Sequence, residues 1–301
     1  ELLRDALDLV VVATPNLEHA RLGVAALEAG AGVVIDKPIA HSSAAAAALL
    51  DAAARTGKML TVFHNRRWDA DFLTVRRIVA QDLVGPVVRF ESRYERYRPA
   101  LRPGAWRETA SVAEGGGLLF DLGVHLVDQA LLLLGRPRTV YAEVAARRPG
   151  AVVEDDAFVA LAFDSGAIAH IWVSHIPRRL GARMRLIGMR GAYEKHGIDP
   201  QEDMLRAGIR PGSPSWGREP FEASGRLTTE SGGVAHDSAL ESETGAYEAF
   251  YAGVRDALVT GAPPPVDPAD AVLAVRVIEA AHESGRTGQV VSLERNGKSG
   301  V

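Results

Sequence analysis

The sequence has no cysteine among its 301 residues, which excludes disulfide bonds, thiolate metal ligands and a cysteine nucleophile. It has no excess of basic charge either, since 34 lysines and arginines stand against 38 aspartates and glutamates and the basic residues are interspersed. That balance argues against a surface dedicated to nucleic acid. We see no signal peptide and no apolar run long enough to span a bilayer, so a cytoplasmic protein without membrane partners is expected.

The first part of the chain alternates between short apolar runs and helical segments. Strands are predicted at 8–13, 33–35 and 59–63, with helices at about 16–29 and 43–57. The first strand is expected to be buried on both faces. This order predicts crossover connections and a parallel sheet, in which ligands bind beyond the carboxyl ends of the strands. The expected helix caps are Thr14 or Asn16 for the first helix and Ser42 or Ser43 for the second.

After residue 66 the pattern changes. Short, closely spaced strand-like runs predict a largely antiparallel sheet, and the fold class is therefore α/β: a partial Rossmann-type parallel sheet (residues 1–66) followed by an α+β domain (residues 67–301). An open antiparallel sheet leaves one face to cover, so a homo-oligomer, dimer or tetramer, is expected. The predicted elements are a helix at 69–81, strands at 87–97, 139–146, 157–163, 167–174 and 182–187, an irregular loop at 211–233, and helices at about 238–258 and 268–283.

One acidic and one imidazole side chain follow a run of three glycines. Asp121 and His125 come after Gly115-Gly116-Gly117 in an apolar segment that is predicted to be a helix, where a spacing of four puts both on one face. Such a pair could transfer a proton, with His125 exchanging it and Asp121 orienting the ring or binding substrate. By itself the pair is more typical of a helix-start aspartate beside a satisfied core histidine, because an acid and a histidine at this spacing are common.

A lysine provides the second chemical signal. Lys37 directly follows the second predicted strand and precedes Pro38, which places it at the carboxyl end of the sheet. That position suits a group that exchanges a proton or holds a hydroxyl, although a solvated loop lysine fits the position equally well. The Lys37-Pro38 bond could be cis.

Taken together, these motifs resemble the Gfo/Idh/MocA oxidoreductases over nearly the whole chain. Asp36-Lys37-Pro38 is similar to the family's Glu-Lys-Pro motif, and Gly115-Gly116-Gly117 with Asp121 and His125 is similar to its Gly-Gly-Gly and Asp-x-x-x-His signature. Thr14-Pro15-Asn16 with His19 resembles the loop that lies along the cofactor. The segments 63–69 and 195–203 resemble the branch of the scyllo-inositol dehydrogenases.

The resemblance implies an enzyme that transfers a hydride between NAD or NADP and a secondary alcohol of a sugar or cyclitol. It implies a catalytic set of Lys37, Asp121 and His125, with His125 as general acid or base, Lys37 on the reacting oxygen and Asp121 on a neighbouring hydroxyl. No metal site is predicted. The implied cofactor contacts are Thr14, Pro15, Asn16, His19, Asp36, Lys37, Asn65 and Arg66, and the implied substrate contacts are Lys37, Trp106, Asp121 and His125. Arg66 and Arg67 could equally be surface charges, and Trp106 could belong to the core.

One motif of the family is not found. No Gly-x-Gly-x-x-Gly turn precedes the strand at 8–13, so the first βαβ half of a nucleotide domain, roughly 60 to 70 residues, is expected to be missing. Either the sequence is a fragment of a longer protein or the gene product is shortened. In the second case the chain could be a cofactor-free remnant that binds a polyol or another protein. The sequence does not identify the sugar, the reaction direction or the preferred nicotinamide.

Overall fold

Three parallel strands form a small sheet in the amino-terminal part of the molecule. The computed structural model describes residues 5–293, and the sheet has the order β1-β2-β3. Helices α1 and α2 connect the strands, which confirms the predicted parallel sheet. The elements are β1 (Leu9–Val12), α1 (His19–Glu28), β2 (Gly32–Asp36), α2 (Ser43–Thr56) and β3 (Leu60–Phe63).

The three strands differ in burial. In β2, Val33, Val34 and Ile35 are fully buried, as expected for a strand with neighbours on both sides. In β1, Val11 is 52% exposed. The prediction that β1 is buried on both faces is therefore wrong, because β1 is an edge strand and, of the described residues, only β2 pairs with it.

A nine-stranded sheet forms most of the rest, in the order β11-β10-β9-β8-β4-β7-β6-β5-β12. Only the β4 and β7 pair is parallel, which confirms a large, mainly antiparallel sheet. Its strands are β4 (Val87–Glu95), β5 (Pro137–Ala145), β6 (Asp156–Phe163), β7 (Ile168–Ser174), β8 (Met184–Gly188), β9 (Gly191–Lys195), β10 (Gly225–Ser231), β11 (Val234–Leu240) and β12 (Val291–Ser292).

A long carboxyl-terminal helix connects the two sheets. The remaining helices are α3 (Ala70–Ala80), α4 (Trp106–Thr109), α5 (Val124–Leu134), α6 (Gln201–Arg206), α7 (Glu248–Thr260) and α8 (Pro268–Thr287). Helix α8 packs on β5 and α5 and also reaches α2 and β3. The backbone of Ser43 donates to Glu279 (2.8 Å), and Thr61 Oγ1 donates to the carbonyl of Val266 (2.8 Å), so polar contacts also join the two parts.

Two of the predicted local features need correction. Neither Thr14 nor Asn16 caps α1, because a 3₁₀ turn at Asn16–Glu18 precedes the helix and Pro15 stands at the turn's cap position. Ser42 does cap α2, since its side chain accepts from the Ala45 amide (3.2 Å).

The region 225–240 is neither loop nor helix but a β-hairpin, and α7 begins only at Glu248.

The segment Val112–Leu134 also departs from the sequence prediction. By length and composition it is apolar enough to cross a membrane, but 78% of its most apolar window is buried inside the protein. That is the position of a core helix. The predicted continuous α-helix is interrupted as well, because Leu119–Gly123 forms a π-helical turn before α5 begins at Val124.

Candidate functional site

The tight turn at residues 115–117 requires glycine, because the surrounding atoms leave no room for side chains. A Cβ on Gly116 would lie 2.0 Å from the carbonyl oxygen of Ala110. Gly117 has a φ of +95°, and its Cβ would lie 2.3 Å from the carboxylate of Glu154. Glu154 in turn accepts from the Leu119 amide (3.0 Å), at the start of the π turn that carries Asp121. The turn therefore fixes where Asp121 leaves the loop.

Asp121 lies between two cations. Lys37 Nζ donates to the Asp121 backbone carbonyl and also lies 3.1 Å from Oδ1, while Arg107 Nε lies 3.1 Å from the same Oδ1. Burial alone would raise the pKa of Asp121, but the charges of Lys37 and Arg107 hold it below its usual value. Asp121 is therefore ionised at neutral pH. The structure thus joins Lys37, from the end of β2, to Asp121 of the second domain.

His125 lies one turn further along and is 4% exposed. Burial lowers its pKa well below 6.5, and the nearby charge of Lys37 lowers it further. Its Nδ1 is buried with no hydrogen-bond partner among the residues that the structure describes. His125 is therefore a neutral imidazole with an uncommitted nitrogen, which is a form that can accept a proton.

A second buried histidine stands behind His125. The ring of His64 is nearly perpendicular to that of His125, with 6.0 Å between centroids, and its Nδ1 lies 3.8 Å from Asp128 Oδ2. Asp128 accepts two hydrogen bonds from Arg67, at 2.8 and 2.6 Å. Burial lowers the pKa of His64, so this ring is also neutral near pH 7. Arg67 is thus a buried ion-pair partner and not a surface charge.

The loop after β1 contacts the same region mainly through buried side chains. Asn16 Nδ2 donates to the carbonyl of Gly115 (2.8 Å), which ties this loop to the three-glycine turn. The ring nitrogens of His19 lie 2.8 Å from the carbonyl oxygens of Thr14 and Pro38, so the ring holds two loops together. Thr14 Oγ1 is buried and has no hydrogen-bond partner within residues 5–293, and Pro15 is exposed.

The remaining predicted residues are spread around this centre. The Lys37-Pro38 bond is cis, and Asp36 Oδ1 accepts from the Lys37 amide (2.9 Å). Asn65 is half-buried in the turn after β3. Arg66 is 4% exposed and pairs with Asp69 (3.2 Å) and Glu202 (2.5 Å), so the surface reading of Arg66 is wrong.

A cleft of about 600 Å³ opens in front of Asp121. Trp106 lines it and is half-buried, under the guanidinium of Arg107 at 4.5 Å, so Trp106 is a cleft residue and not a core residue. Neither Lys37 nor His125 belongs to the lining, and Lys37 reaches the cleft wall through its contact with Asp121. The binding and catalytic roles of the predicted residues stay predictions.

Sequence reasoning missed several residues of this region. Arg107 and Glu154 contact Asp121 or its turn from segments that carry no motif of their own. His64 directly follows β3 and is not part of any of the motifs. Burial supplies the missing signal at Glu154, where it raises the pKa to about 7. That signal needs coordinates, although a histidine at the carboxyl end of a buried strand could have been singled out.

Comparisons with known proteins identify the family of this chain. The model of the Gfo/Idh/MocA oxidoreductase family's NAD-binding Rossmann fold matches residues 1–64, and that of its C-terminal alpha/beta domain matches residues 76–293. The chain is 36% identical over 290 residues to the scyllo-inositol 2-dehydrogenase (NADP(+)) IolW of Bacillus subtilis, covering 96% of this chain and 80% of that protein. It is 38% identical over 280 residues to the uncharacterized oxidoreductase YdgJ of Escherichia coli, covering 93% and 79%.

Solved structures give the same result. The yvaA protein of Bacillus subtilis superposes with a TM-score of 0.93 at 35% identity, covering 97% of this chain and 83% of that one. An oxidoreductase from Bacillus cereus has a TM-score of 0.88 at 28% identity, covering 98% and 83%. Two family models match this chain, its relatives align with it over most of its length, and the solved structures share its fold. This chain therefore belongs to the Gfo/Idh/MocA family of oxidoreductases.

Proposed function

We propose that this chain is an NAD(P)-dependent oxidoreductase that acts on a secondary alcohol of a sugar or cyclitol. The observation that carries the proposal is the contact between Lys37 Nζ and Asp121 Oδ1 (3.1 Å), beside a neutral His125. It brings a cation, a carboxylate and a proton acceptor together where the parallel sheet meets the second domain. The relative IolW, whose name gives scyllo-inositol and NADP, supports the same substrate class.

The residues at the carboxyl ends of the parallel strands fit the nicotinamide end of a dinucleotide. After β1, the buried hydroxyl oxygen of Thr14 has no hydrogen-bond partner in the described part of the chain, and Lys37 follows β2. Thr14, Asp36, Lys37 and Asn65 would hold that end, which is where ligands lie in parallel sheets. Bound there, the nicotinamide would supply the two-electron acceptor or donor for the hydride.

The protein's own residues handle the proton and the charge. In the oxidation, a carbinol carbon loses a hydride and its hydroxyl loses a proton, which leaves a carbonyl. His125 would take that proton, because burial keeps its imidazole neutral. Lys37 would donate a hydrogen bond to the reacting oxygen as negative charge builds up, and ionised Asp121 would accept from a neighbouring hydroxyl. In the reduction, His125 gives the proton back.

The test is a fluorescence titration of the 301-residue chain with NADPH and then NADH, followed by an assay of hydride transfer with scyllo-inositol, myo-inositol and D-glucose. We expect saturable nucleotide binding and turnover with at least one polyol. Saturable polyol binding by a folded chain that binds neither nucleotide would instead support a cofactor-free binding module.

A further inference from the structure

The cleft in front of Asp121 carries more arginine than its carboxylates neutralise. Six arginines line it, and three of them have carboxylate partners: Arg107 with Asp121, Arg148 with Asp155, and Arg206 with Asp203. The other three make no ion pair with any carboxylate in the described part of the chain, residues 5–293. These three are Arg96, Arg98 and Arg102, and we call them the arginine cluster.

The backbone holds the arginine cluster in place. The amides of Arg96 and Arg98 donate to the carbonyls of Ser174 and His175, each at 2.9 Å. These hydrogen bonds continue the pairing with β7 beyond the end of β4. Two residues apart in an extended chain, their side chains point to the same side, which here is the cleft. The amide of Arg102 donates to Glu108 Oε2 (3.1 Å).

The like charges of the arginine cluster repel one another. Burial lowers the pKa of Arg98, and the charges of Arg96 and Arg102 lower it further, against weaker opposing effects of Asp121 and Glu108. The acidic residues of the cleft offset this repulsion only in part. Glu108 faces Arg148 (3.4 Å), Glu202 is shared between Arg66 and Arg206, and burial raises the pKa of Glu154 to about 7.

We propose that Arg96, Arg98 and Arg102 bind the carboxylate or phosphate group of an acidic sugar or cyclitol whose hydroxyls lie at Asp121. The inference rests on the proposed function. It narrows the substrate class from sugars and cyclitols in general to those that carry an acidic group. Guanidinium groups match both anions because their paired N–H donors meet two oxygens at once. An anion there would also relieve the repulsion within the cluster.

The phosphates of the cofactor are the other source of such an anion. The position of the cluster favours the substrate. All three arginines follow β4 of the nine-stranded sheet and share a cleft with Asp121 and Trp106, whereas the nucleotide end of the molecule is the three-stranded sheet.

The experiment measures binding, not turnover. The 301-residue chain is titrated calorimetrically at low salt with D-glucose, D-glucuronate and D-glucose 6-phosphate, each with and without NADPH. We expect at least one of the acids to bind about tenfold more tightly than D-glucose, which corresponds to about 1.4 kcal/mol, since hydrogen bonds between charged groups are stronger than those between neutral groups. Added salt should remove most of the difference. Equal affinity for D-glucose and both acids would overturn the proposal.

Variants identify the source of the anion. Arg98→Gln and Arg96→Gln should each weaken binding of the acid about tenfold and leave D-glucose and NADPH unchanged. Arg226→Gln is the matched control, an exposed arginine on the hairpin that pairs with Asp237 outside the cleft. Weaker NADPH binding with unchanged acid binding would assign the cluster to the cofactor and overturn the proposal. Because none of these measurements needs hydride transfer, acid binding without turnover would count against the proposed function alone.

Discussion

At the scale of single residues, the catalytic proposal depends on how one carboxylate is held. Asp121 is 31% exposed in its side chain, yet Lys37 and Arg107 keep it ionised against the effect of burial. His125 is kept neutral by the same surroundings. The pKa values of both side chains are lowered, which leaves the carboxylate charged and the imidazole uncharged. A site that binds one hydroxyl and deprotonates another requires these two forms.

Replacing Lys37 by methionine tests this arrangement. Lys37→Met keeps the length of the side chain but removes the cation from Asp121 and from the reacting oxygen. We expect kcat to fall by about 100-fold or more and NADPH affinity to fall much less, because Lys37 is only one of the residues proposed at the nicotinamide end. Steady-state kinetics and a fluorescence titration measure the two effects. Lys58→Met, an exposed lysine after α2, is the control. A near-normal kcat in Lys37→Met would refute the assignment.

His282 packs next to the turn that carries Asp121 and makes the free energy of unfolding depend on pH. Its ring stacks on Phe120 with 6.0 Å between centroids, and its Nε2 lies 3.7 Å from Glu154 Oε1. Burial lowers the pKa of His282 from 6.5 to about 4. Because the unfolded chain binds this proton more readily, the stabilisation by neutral His282 is complete above pH 6.5 and is lost as the pH falls toward 4.

His282→Gln has no proton to bind and should lose less unfolding free energy than the parent between pH 6.5 and 4. Urea unfolding at several pH values in that range measures the slope. His236→Gln, at an exposed position on β11, should keep the parental slope. Parallel pH profiles for the parent and His282→Gln would mean that His282 binds a proton as readily in the folded protein as in the unfolded chain.

At the scale of elements, the three-glycine turn is a steric requirement of the site. We expect Gly117→Ala to lower the unfolding free energy by about 1 to 2 kcal/mol more than Gly104→Ala. Both glycines have positive φ, +95° and +73°, so both variants include the cost of that backbone conformation. Only at Gly117 does the new Cβ meet an obstacle, the Glu154 carboxylate at 2.3 Å, and nothing lies within 4 Å at Gly104.

Urea unfolding of the two glycine variants isolates that contact, because the backbone strain cancels in the comparison. Equal losses in both would mean that Glu154 moves aside without cost. In that case the turn would be tolerant of side chains, and its glycines would serve only the backbone conformation.

The parallel sheet and most of the large sheet could be predicted from the sequence because their strands are apolar and regularly punctuated. The hairpin β10–β11 was missed because β11 is exposed along nearly its whole length and has no hydrophobic period. A signal was present: Gly232 and Gly233 both have positive φ, at +61° and +78°, and form the two-residue turn between the strands. Two adjacent glycines between polar runs could have been read as a hairpin.

The candidate site divides in the same way. Lys37, Asp121 and His125 follow ordered motifs and could be found in the sequence. The π turn before α5 could not, because the apolar pattern of the segment suits an α-helix equally well. The arginine cluster was also missed, since interspersed arginines become a cluster only when the strand edge and the loop after it fold over one cleft.

At the scale of the whole molecule, the two faces of the nine-stranded sheet differ in burial. Helices α5 and α8 pack on the face that carries Val159, Ile171 and the rest of the core. The opposite face carries half-buried aromatic side chains: Phe158 and Trp172 lie 5.1 Å apart between ring centroids, and Arg93 lies 3.8 Å above Trp172. Alternating apolar residues on an uncovered sheet face favour association with a second copy.

We therefore expect a homo-oligomer, dimer or tetramer, that is joined through this face. Phe158→Glu places a charge among the aromatic side chains and should lower the mass measured by light scattering after gel filtration, because burying an unpaired carboxylate is costly. Phe221→Glu is the control, since Phe221 is 60% exposed and lies in the short 3₁₀ segment before β10. A monomeric parent at all concentrations would exclude the interface, and an unchanged mass for Phe158→Glu would place the contact elsewhere. Retained secondary structure in the monomeric variant would show that the face serves assembly and not folding, because the core lies on the other side of the sheet.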